Sequence, residues 1–282
     1  MFPLGILHST IREEEKLILT AAKKRGLKTQ LIDIREEVFN PLLYRVNFDL
    51  ALERSVSTVK GLYATKFLES LGITVINSSE VATICGDKFL TSIVLQKAQV
   101  PTPRFALVFG IEQAKEAIKQ MGGFPVVLKP NLGSWGRLLG KVNDVDSLEA
   151  IIEHKEVLGS PQQKAIYIQK YINKPGRDIR AFVIDSEVIC AIYRNSPHWI
   201  TNTARGGRAI NCPLTSDLRS ISKKASGAVG RGILAIDIFE TENGLSINEI
   251  NHTMEFKNSE APTGISISGA IVDYCIKKFK KL

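Results

Sequence analysis

Between about residues 4 and 100 the sequence alternates short apolar runs with longer amphipathic stretches, and that rhythm restricts the fold more than any other feature of the chain. "LGIL" reads as a buried strand, and "IREEEKLILTAAKKRG" as an amphipathic helix closed by Gly26. "TQLIDI" and "FDLALE" read as further strands, "TVKGLYATKFLESLG" as a helix ending at Gly72, and "ITVIN" as a strand. Strands separated by helices predict a parallel sheet with right-handed crossovers. "SSEVATICGDKFLTSIVLQKAQ" then reads as one or two helices.

The prolines of "VPTPRF" mark a lobe boundary, because a residue before proline is pushed out of the helical region. Beyond it come a strand, a helix near 111–121, and the buried strand of "FPVVLKP", stopped by Pro130. A glycine-rich turn, "NLGSWGRLLGKV", leads into another strand. "AIYIQKYI", "RDIRAFVI" and "EVICAIYR" read as successive strands, the last two joined by Asp185–Ser186 as a hairpin turn. "TSDLRSISKKASGAVG" is a helix, "GILAIDIFE" and "LSINEI" are strands, and a helix from about 268 ends the chain. The expected class is α/β at the N-terminus with α+β lobes richer in antiparallel strands behind it. The expected division is 1–98, 99–170 and 171–282. At 282 residues such a chain can bury a large core in two or three lobes.

Two strands in "DIFETENGLSINEIN" flank Glu242-Asn243-Gly244. A three-residue hairpin loop with glycine in its last, left-handed position predicts Thr241 opposite Leu245, and therefore Asp237 opposite Glu249. Asn251 then shares the face of Glu249. Two carboxylates about 4 Å apart repel by roughly 4 kcal/mol at an effective dielectric of about 20. A divalent cation with oxygen ligands offsets that, and Mg²⁺ commonly takes one or two carboxylates beside water and phosphate. The alternative is a pair splayed into solvent or sharing a proton. His252 lies beside the set and reads as structural rather than as a ligand.

Lys129 ends a buried strand, so its amine emerges at the strand's carboxyl edge. Gly133 and Gly136 bracket Ser134 and Trp135 just beyond it, and such a loop lets backbone N–H groups close around anionic oxygens. A phosphate-binding loop and a simple hairpin turn both fit, and the Walker A pattern is absent. Lys88, in "CGDKFLTS", is a third cation for phosphate or a plain helix-surface lysine. "GRDIR", "YRN" and "NTARGG" add Arg177, Arg180, Arg194, Asn202 and Arg205, with Asp178 on the face of Arg180. Fork-shaped cations gathered in a cleft suit carboxylates and phosphates. Trp199 could wall that cleft but reads better as a core residue.

Lys and Arg number 37 against 29 Asp and Glu, for a net charge of +8. Nucleic acid, a phosphate-rich ligand or an acidic protein would each answer that charge. The densest clusters, "KKRG" and "KKFKK", sit at helix ends, where the macrodipole favours cations. No nucleic-acid motif and no aromatics interleaved with basic residues are seen, so no nucleic-acid partner is expected. No apolar run reaches the roughly 18 residues of a membrane span, and "MFPLGILHST" has neither the basic region nor the cleavage site of a signal peptide. The four cysteines are scattered and form no CxxC pair, which fits a reducing cytoplasm.

Lys88, "VVLKP", the glycine loop, "IQKYI", "GRDIR" and Asp237…Glu249-Ile-Asn251 occur in the order seen in ATP-grasp ligases, and the chain resembles the branch that contains the ribosomal protein S6 glutamate ligase. "ICGDK", "KPNLGSWGRLL", "IIEHKEVLG", "WITNTARGG" and "NEINHTMEFKN" resemble the LysX type within it, the ligases of α-aminoadipate and the acidic carrier protein LysW. The resemblance implies that ATP activates the carrier's C-terminal glutamate as an acyl phosphate, which the amino group of α-aminoadipate attacks. It implies that Lys88 and Lys129 hold phosphates under the loop Gly133–Gly136. By the same resemblance Gln169, Lys170, Tyr171 and Ile172 would form the adenine hinge, with Asp178 and Asn202 also near the nucleotide. The resemblance also implies that Asp237, Glu249 and Asn251 bind Mg²⁺ and that Arg194 and Asn202 steady the transferring phosphate. On the same ground Arg180, Arg194, Arg205 and Gly206 are expected to meet the substrates, as are Glu255, Phe256, Lys257, Asn258 and Ser259. "EFKNS" resembles the aminoadipate type, whereas glutamate-accepting relatives look like "EFKGF" there. One methylene discriminates by only about 1–3 kcal/mol, so glutamate or dual use stays open. A homo-oligomer is expected. Rival readings are another S6-type glutamate ligase and an ATP-binding regulatory module without catalysis.

Overall fold

A computed structural model of the protein describes residues 3–133, 138–201 and 207–281. The chain begins with β1 (Leu4–His8), α1 (Glu13–Lys24), β2 (Thr29–Asp33), β3 (Leu50–Glu53), α2 (Thr58–Ser70) and β4 (Thr74–Ile76). These strands form the expected parallel sheet, in the order β2-β1-β3-β4. No helix separates β2 from β3, so the chain passes between them through an irregular stretch. β1 therefore lies between β2 and β3, and the loops after β1 and β3 leave the sheet side by side. α1 differs from an ordinary surface helix at its first turn, where Glu14 and Glu15 are buried.

The long apolar segment after β4 breaks into α3 (Ser79–Gly86) and α4 (Lys88–Lys97) at Asp87. Asp87 ends one helix and caps the next, its carboxylate accepting from Leu90 N–H at 2.9 Å. The central sheet comprises β5 (Phe105–Val108), β6 (Val126–Lys129), β7 (Gly140–Val142) and β8 (Ile166–Lys170), ordered β5-β8-β6-β7 and antiparallel throughout. α5 (Ile111–Gln120) and α6 (Val145–Leu158) cover one face with Ala114, Ile118, Leu148 and Ile152.

The third sheet is β11-β10-β9-β12-β13, also antiparallel. Its strands are β9 (Arg177–Ile184), β10 (Glu187–Asn195), β11 (Arg208–Asn211), β12 (Ile233–Thr241) and β13 (Gly244–Asn251). The Asp185–Ser186 turn forms as expected, with Asp185 at φ 59°. α7 (Ser216–Ala228) packs on one face together with α3 and α4. α8 (Glu260–Thr263) and α9 (Ile267–Phe279) complete the chain.

α9 returns to α1, and Arg25 forks onto Asp273 at 2.5 and 2.9 Å. The shared core joins Leu4, Ile6 and Ile18 to Phe182, Met254, Phe256 and Ile271. Each such side chain stabilises by about 1.5–3 kcal/mol on burial, so this core fastens the first and third sheets together. Among the described residues no helix is long and apolar enough to cross a membrane.

Candidate active site

The hairpin of β12 and β13 sets the site, and it is built differently from the sequence expectation. Its loop is the two residues Glu242-Asn243, with Thr241 opposite Gly244 and Glu240 opposite Leu245. The expected pairing of Thr241 with Leu245 is thus off by one. Asn248 is an extra residue on β13, and this bulge restores the register: Ile238 faces Ile247, but Asp237 faces Glu249. The carboxylate pair therefore forms as expected, by another route. The bulge also presents Asn248, whose Oδ1 accepts from Lys129 Nζ at 2.8 Å.

Strand register gathers the remaining charges. Arg180 on β9 stands opposite Asp237, and Asp178 on β9 stands opposite Arg194 on β10. Arg180 forks onto Asp237 at 2.7 and 2.9 Å. Arg194 forks onto Asp178 at 2.6 and 2.8 Å and reaches Asp237 at 3.1 Å. Thr201 donates its hydroxyl to Asp178, and Lys174 Nζ lies 3.5 Å from the same carboxylate. Burial alone would raise the Asp237 carboxyl, but Arg180 and Arg194 outweigh it and hold the group well below the usual carboxylate range. Burial likewise works against the charge on Arg194, and Asp237 and Asp178 more than compensate, so it is held above its ordinary value. Neighbouring guanidinium groups thus already balance Asp237, a solution absent from the sequence reading, which weighed a metal ion against a splayed or proton-sharing pair.

Lys129 stands at the carboxyl end of β6, 6% exposed. Burial lowers its pKa to about 8, and Lys88 and Lys174 push the same way against Glu249 and Asp237. Lys88 opens α4 and is no plain surface lysine: its Nζ donates to the Gly133 carbonyl. A clasp brings them together, in which Asn131 Nδ2 donates to Asp87 at 2.9 Å and its Oδ1 accepts from Phe89 N–H at 3.1 Å. The Lys88 N–H also donates to Asn131 O at 3.0 Å.

Two hollows flank this cluster. One, a recess of about 470 Å³ that opens to solvent, is walled by Lys129, Gln169, Tyr171, Ile172, Trp199 and Phe239. Trp199 is a half-buried cavity wall, with its ring edge-on to Tyr171 at 6.3 Å, and not a core residue. Gln169 is buried, with Nε2 donating to Tyr167 Oη at 3.3 Å. Lys170 turns its amine to the Gly122 and Gly123 carbonyls. The other hollow is an open cleft of about 1030 Å³ between Arg12 and Ser55 on one wall and Lys88, Arg180, Glu249 and Asn251 on the other. Here the buried Nδ2 of Asn251 has no hydrogen-bond partner among the described residues.

Glu255, Lys257, Asn258 and Ser259 border a smaller recess that Arg180 and Arg194 also line. Phe256 borders the same recess, with its side chain packed in the core at 1% exposure. Arg177 leaves the cleft, because strand alternation turns it away from Asp178 and Arg180. It pairs with Glu240 at 2.7 and 2.9 Å and stacks on Tyr193 at 4.0 Å. His252 borders the cleft, and burial first, with Arg54 adding, lowers its pKa to about 4, which fits a neutral structural side chain. Ser134, Trp135, Gly136, Asn202, Arg205 and Gly206 lie outside the described residues.

Sequence reasoning missed Arg12, Arg54, Lys174 and Asn248. Arg54 carried a readable signal: a charged residue just beyond an apolar strand of a parallel sheet, at the end where ligands gather. Arg12 carried one too, since a cation at a helix N-terminus opposes the dipole and calls for another reason. The bulge that exposes Asn248 left none.

A model of the RimK-like ATP-grasp domain matches residues 85–275, and one of the LysX preATP-grasp domain matches residues 4–84. The glutamate–LysW ligase ArgX of Sulfurisphaera tokodaii is 37% identical over 276 residues, covering 96% of this chain and 97% of that protein. The α-aminoadipate–LysW ligase LysX of Saccharolobus solfataricus is 34% identical over 274 residues, covering 96% and 99%. A RimK domain ATP-grasp protein from Sphaerobacter thermophilus superposes with a TM-score of 0.83 at 25% identity, covering 96% and 98%.

Proposed function

The chain belongs to the RimK-like ATP-grasp family of ATP- and Mg²⁺-dependent ligases, and on that premise we propose that it joins the amino group of α-aminoadipate to the side-chain carboxylate of the C-terminal glutamate of the carrier protein LysW. The observation that carries the reading is the facing of Asp237 and Glu249 beside Lys129, in a chain similar over 96% of its length to ligases named for LysW.

The residues present fit ATP and magnesium. Asp237, Glu249 and Asn251 offer hard oxygen donors for the cation, and the unpartnered Nδ2 of Asn251, a hydrogen-bond donor, calls for an acceptor there such as a phosphate oxygen. Among the described residues no three His, Cys, Asp or Glu side chains converge to cage a metal. That suits Mg²⁺, which completes its shell with phosphate oxygens. Bound there, it would neutralise charge on the transferring phosphate. The hollow between Gln169–Ile172 and Trp199 would take the base, leaving the phosphates to run along Lys129 towards Lys88. Lys129 holds phosphate oxygens in its protonated form. Arg180 and Arg194, fixed by Asp237 and Asp178, present a rigid cationic wall to the acyl phosphate and its attacking amine. Phosphoryl transfer of this kind needs positioning and charge more than a covalent nucleophile.

Asn258, exposed, and Ser259, buried, offer short polar groups for the distal carboxylate of aminoadipate. A second reading, glutamate as the amino acid, is favoured by the 37% identity to ArgX. The deciding experiment is mass spectrometry of LysW after incubation with ATP, Mg²⁺ and either amino acid. A gain of one aminoadipyl unit supports the first reading, and glutamate incorporation alone replaces it with the second.

A further inference from the structure

Arg180, Arg194 and Lys88, all lining the open cleft, are occupied by Asp237, Asp178 and the Gly133 carbonyl. Arg12, across the cleft, is held differently. Its Nε and Nη2 fork onto Glu15 at 3.0 and 2.8 Å, and Glu15 is fully buried. Its Nη1 faces the cleft, where the nearest carboxylate is the partly exposed Glu255 at 3.5 Å. The Nε–Nη2 edge is thus locked on Glu15, and Nη2 also donates to the Arg54 carbonyl at 3.3 Å, while Nη1 meets only the longer contact to Glu255. Arg12 follows β1 and Ser55 follows β3, the two strands at which the parallel sheet reverses its order. The crevice outside the carboxyl ends of such strands is where open parallel sheets hold ligands. Ser55, 3% exposed, borders the same cleft, and its hydroxyl has no hydrogen-bond partner among the described residues.

We propose that Arg12 is the carboxylate anchor of the amino-acid substrate, so that the N-terminal sheet, and not only the ATP-binding lobes, selects a dicarboxylic amine. The proposal rests on the ligase reading above. Nη1 exchanges its long contact to Glu255 for one oxygen of a substrate carboxylate, while Glu15 and the Arg54 carbonyl keep the guanidinium from following the ligand. The anchored amine then faces the wall of Arg180 and Glu249, where the activated carboxylate forms.

The test is steady-state ligation by the full chain with LysW, ATP and Mg²⁺, with aminoadipate or glutamate varied, in wild type, Arg12→Gln and Arg12→Lys. Hydroxylamine, an amine without a carboxylate, is the comparison nucleophile. Loss of the charge-assisted Nη1 contact should raise the amino-acid KM in Arg12→Gln by about 100-fold, while KM for ATP and turnover of hydroxylamine do not follow. Should Arg12→Gln melt early, Arg12→Lys keeps a cation beside Glu15 without a second nitrogen for the cleft and should raise the amino-acid KM by about tenfold. A folded Arg12 variant with an unmoved amino-acid KM overturns the proposal, as does a parallel fall with hydroxylamine. A wild-type protein inert toward LysW with every nucleophile fails the ligase reading instead.

Discussion

Two clusters of buried charge face each other across the cleft, and they are made in opposite ways. Asp178, Arg180, Arg194 and Asp237 sit on neighbouring strands of one antiparallel sheet, so ladder register alone sets their contacts. Arg12, Glu15 and Arg54 come from a helix start and a loop, and their contacts reach far along the chain. Arg54 donates to Glu15 at 3.0 Å and to the Met254 carbonyl at 3.0 Å, 200 residues away. The Lys257 N–H donates to Glu14 at 3.2 Å, and Thr253 donates to Glu53 at 3.0 Å. The first cluster holds cations still for chemistry. The second fastens residues 253–257, which border the substrate recess, to the N-terminal sheet. A carboxylate on a ladder is fixed by backbone hydrogen bonds, whereas one that bridges two sheets is fixed only as well as those sheets are joined.

The largest effect should come from Arg194→Met, which leaves Asp178 and Asp237 buried without their shared guanidinium. Breaking such a buried set costs about 3–5 kcal/mol, read as a lower urea midpoint, and ligase turnover should vanish with it. Arg54→Met should cost less, about 3 kcal/mol, because Glu15 keeps Arg12. It should also raise the amino-acid KM by loosening the 253–257 segment. A greater loss from Arg54→Met than from Arg194→Met would reverse the comparison.

The strand-built side also predicts a pH dependence. Lys129 has a pKa of about 8 in the folded chain, below that of an ordinary lysine, with burial as the first cause. Phosphate needs its protonated form, so KM for ATP should rise above pH 8, by up to about tenfold per pH unit. In the free protein the sign is opposite. Between pH 8 and the ordinary lysine range the unfolded chain keeps a proton that the folded chain has released, so folding stability gains as pH rises. A flat KM profile from pH 7 to 9 would show the amine to be set by its carboxylate neighbours and not by burial. The smallest effect belongs outside both clusters. Arg35 forks onto Asp33 at the surface, and Arg35→Ala should leave the melting temperature unmoved within error.

Much of this was legible in order along the chain. The strand–helix rhythm gave the parallel sheet, and period-two alternation gave Asp178 with Arg180 and Glu249 with Asn251. The pairing of Asp237 with Glu249 was legible even though the loop was misjudged, because Asn248 bulges out and returns the strands to the register required. The lysine that ends a buried strand, Lys129, marked one side of the site for the same local reason.

What the sequence by itself determined was therefore whatever follows from a residue and its near neighbours: element type, the face on which a side chain stands, and the acid and base chemistry on each strand. The tertiary structure alone decided that Arg12 and Arg54 meet the 254–257 segment, that Trp199 walls a cavity, and that guanidinium groups already balance Asp237. These depend on how three sheets are set against one another. Contacts between side chains hundreds of residues apart leave no periodic trace in the sequence, because nothing in a local pattern records which surface will lie opposite.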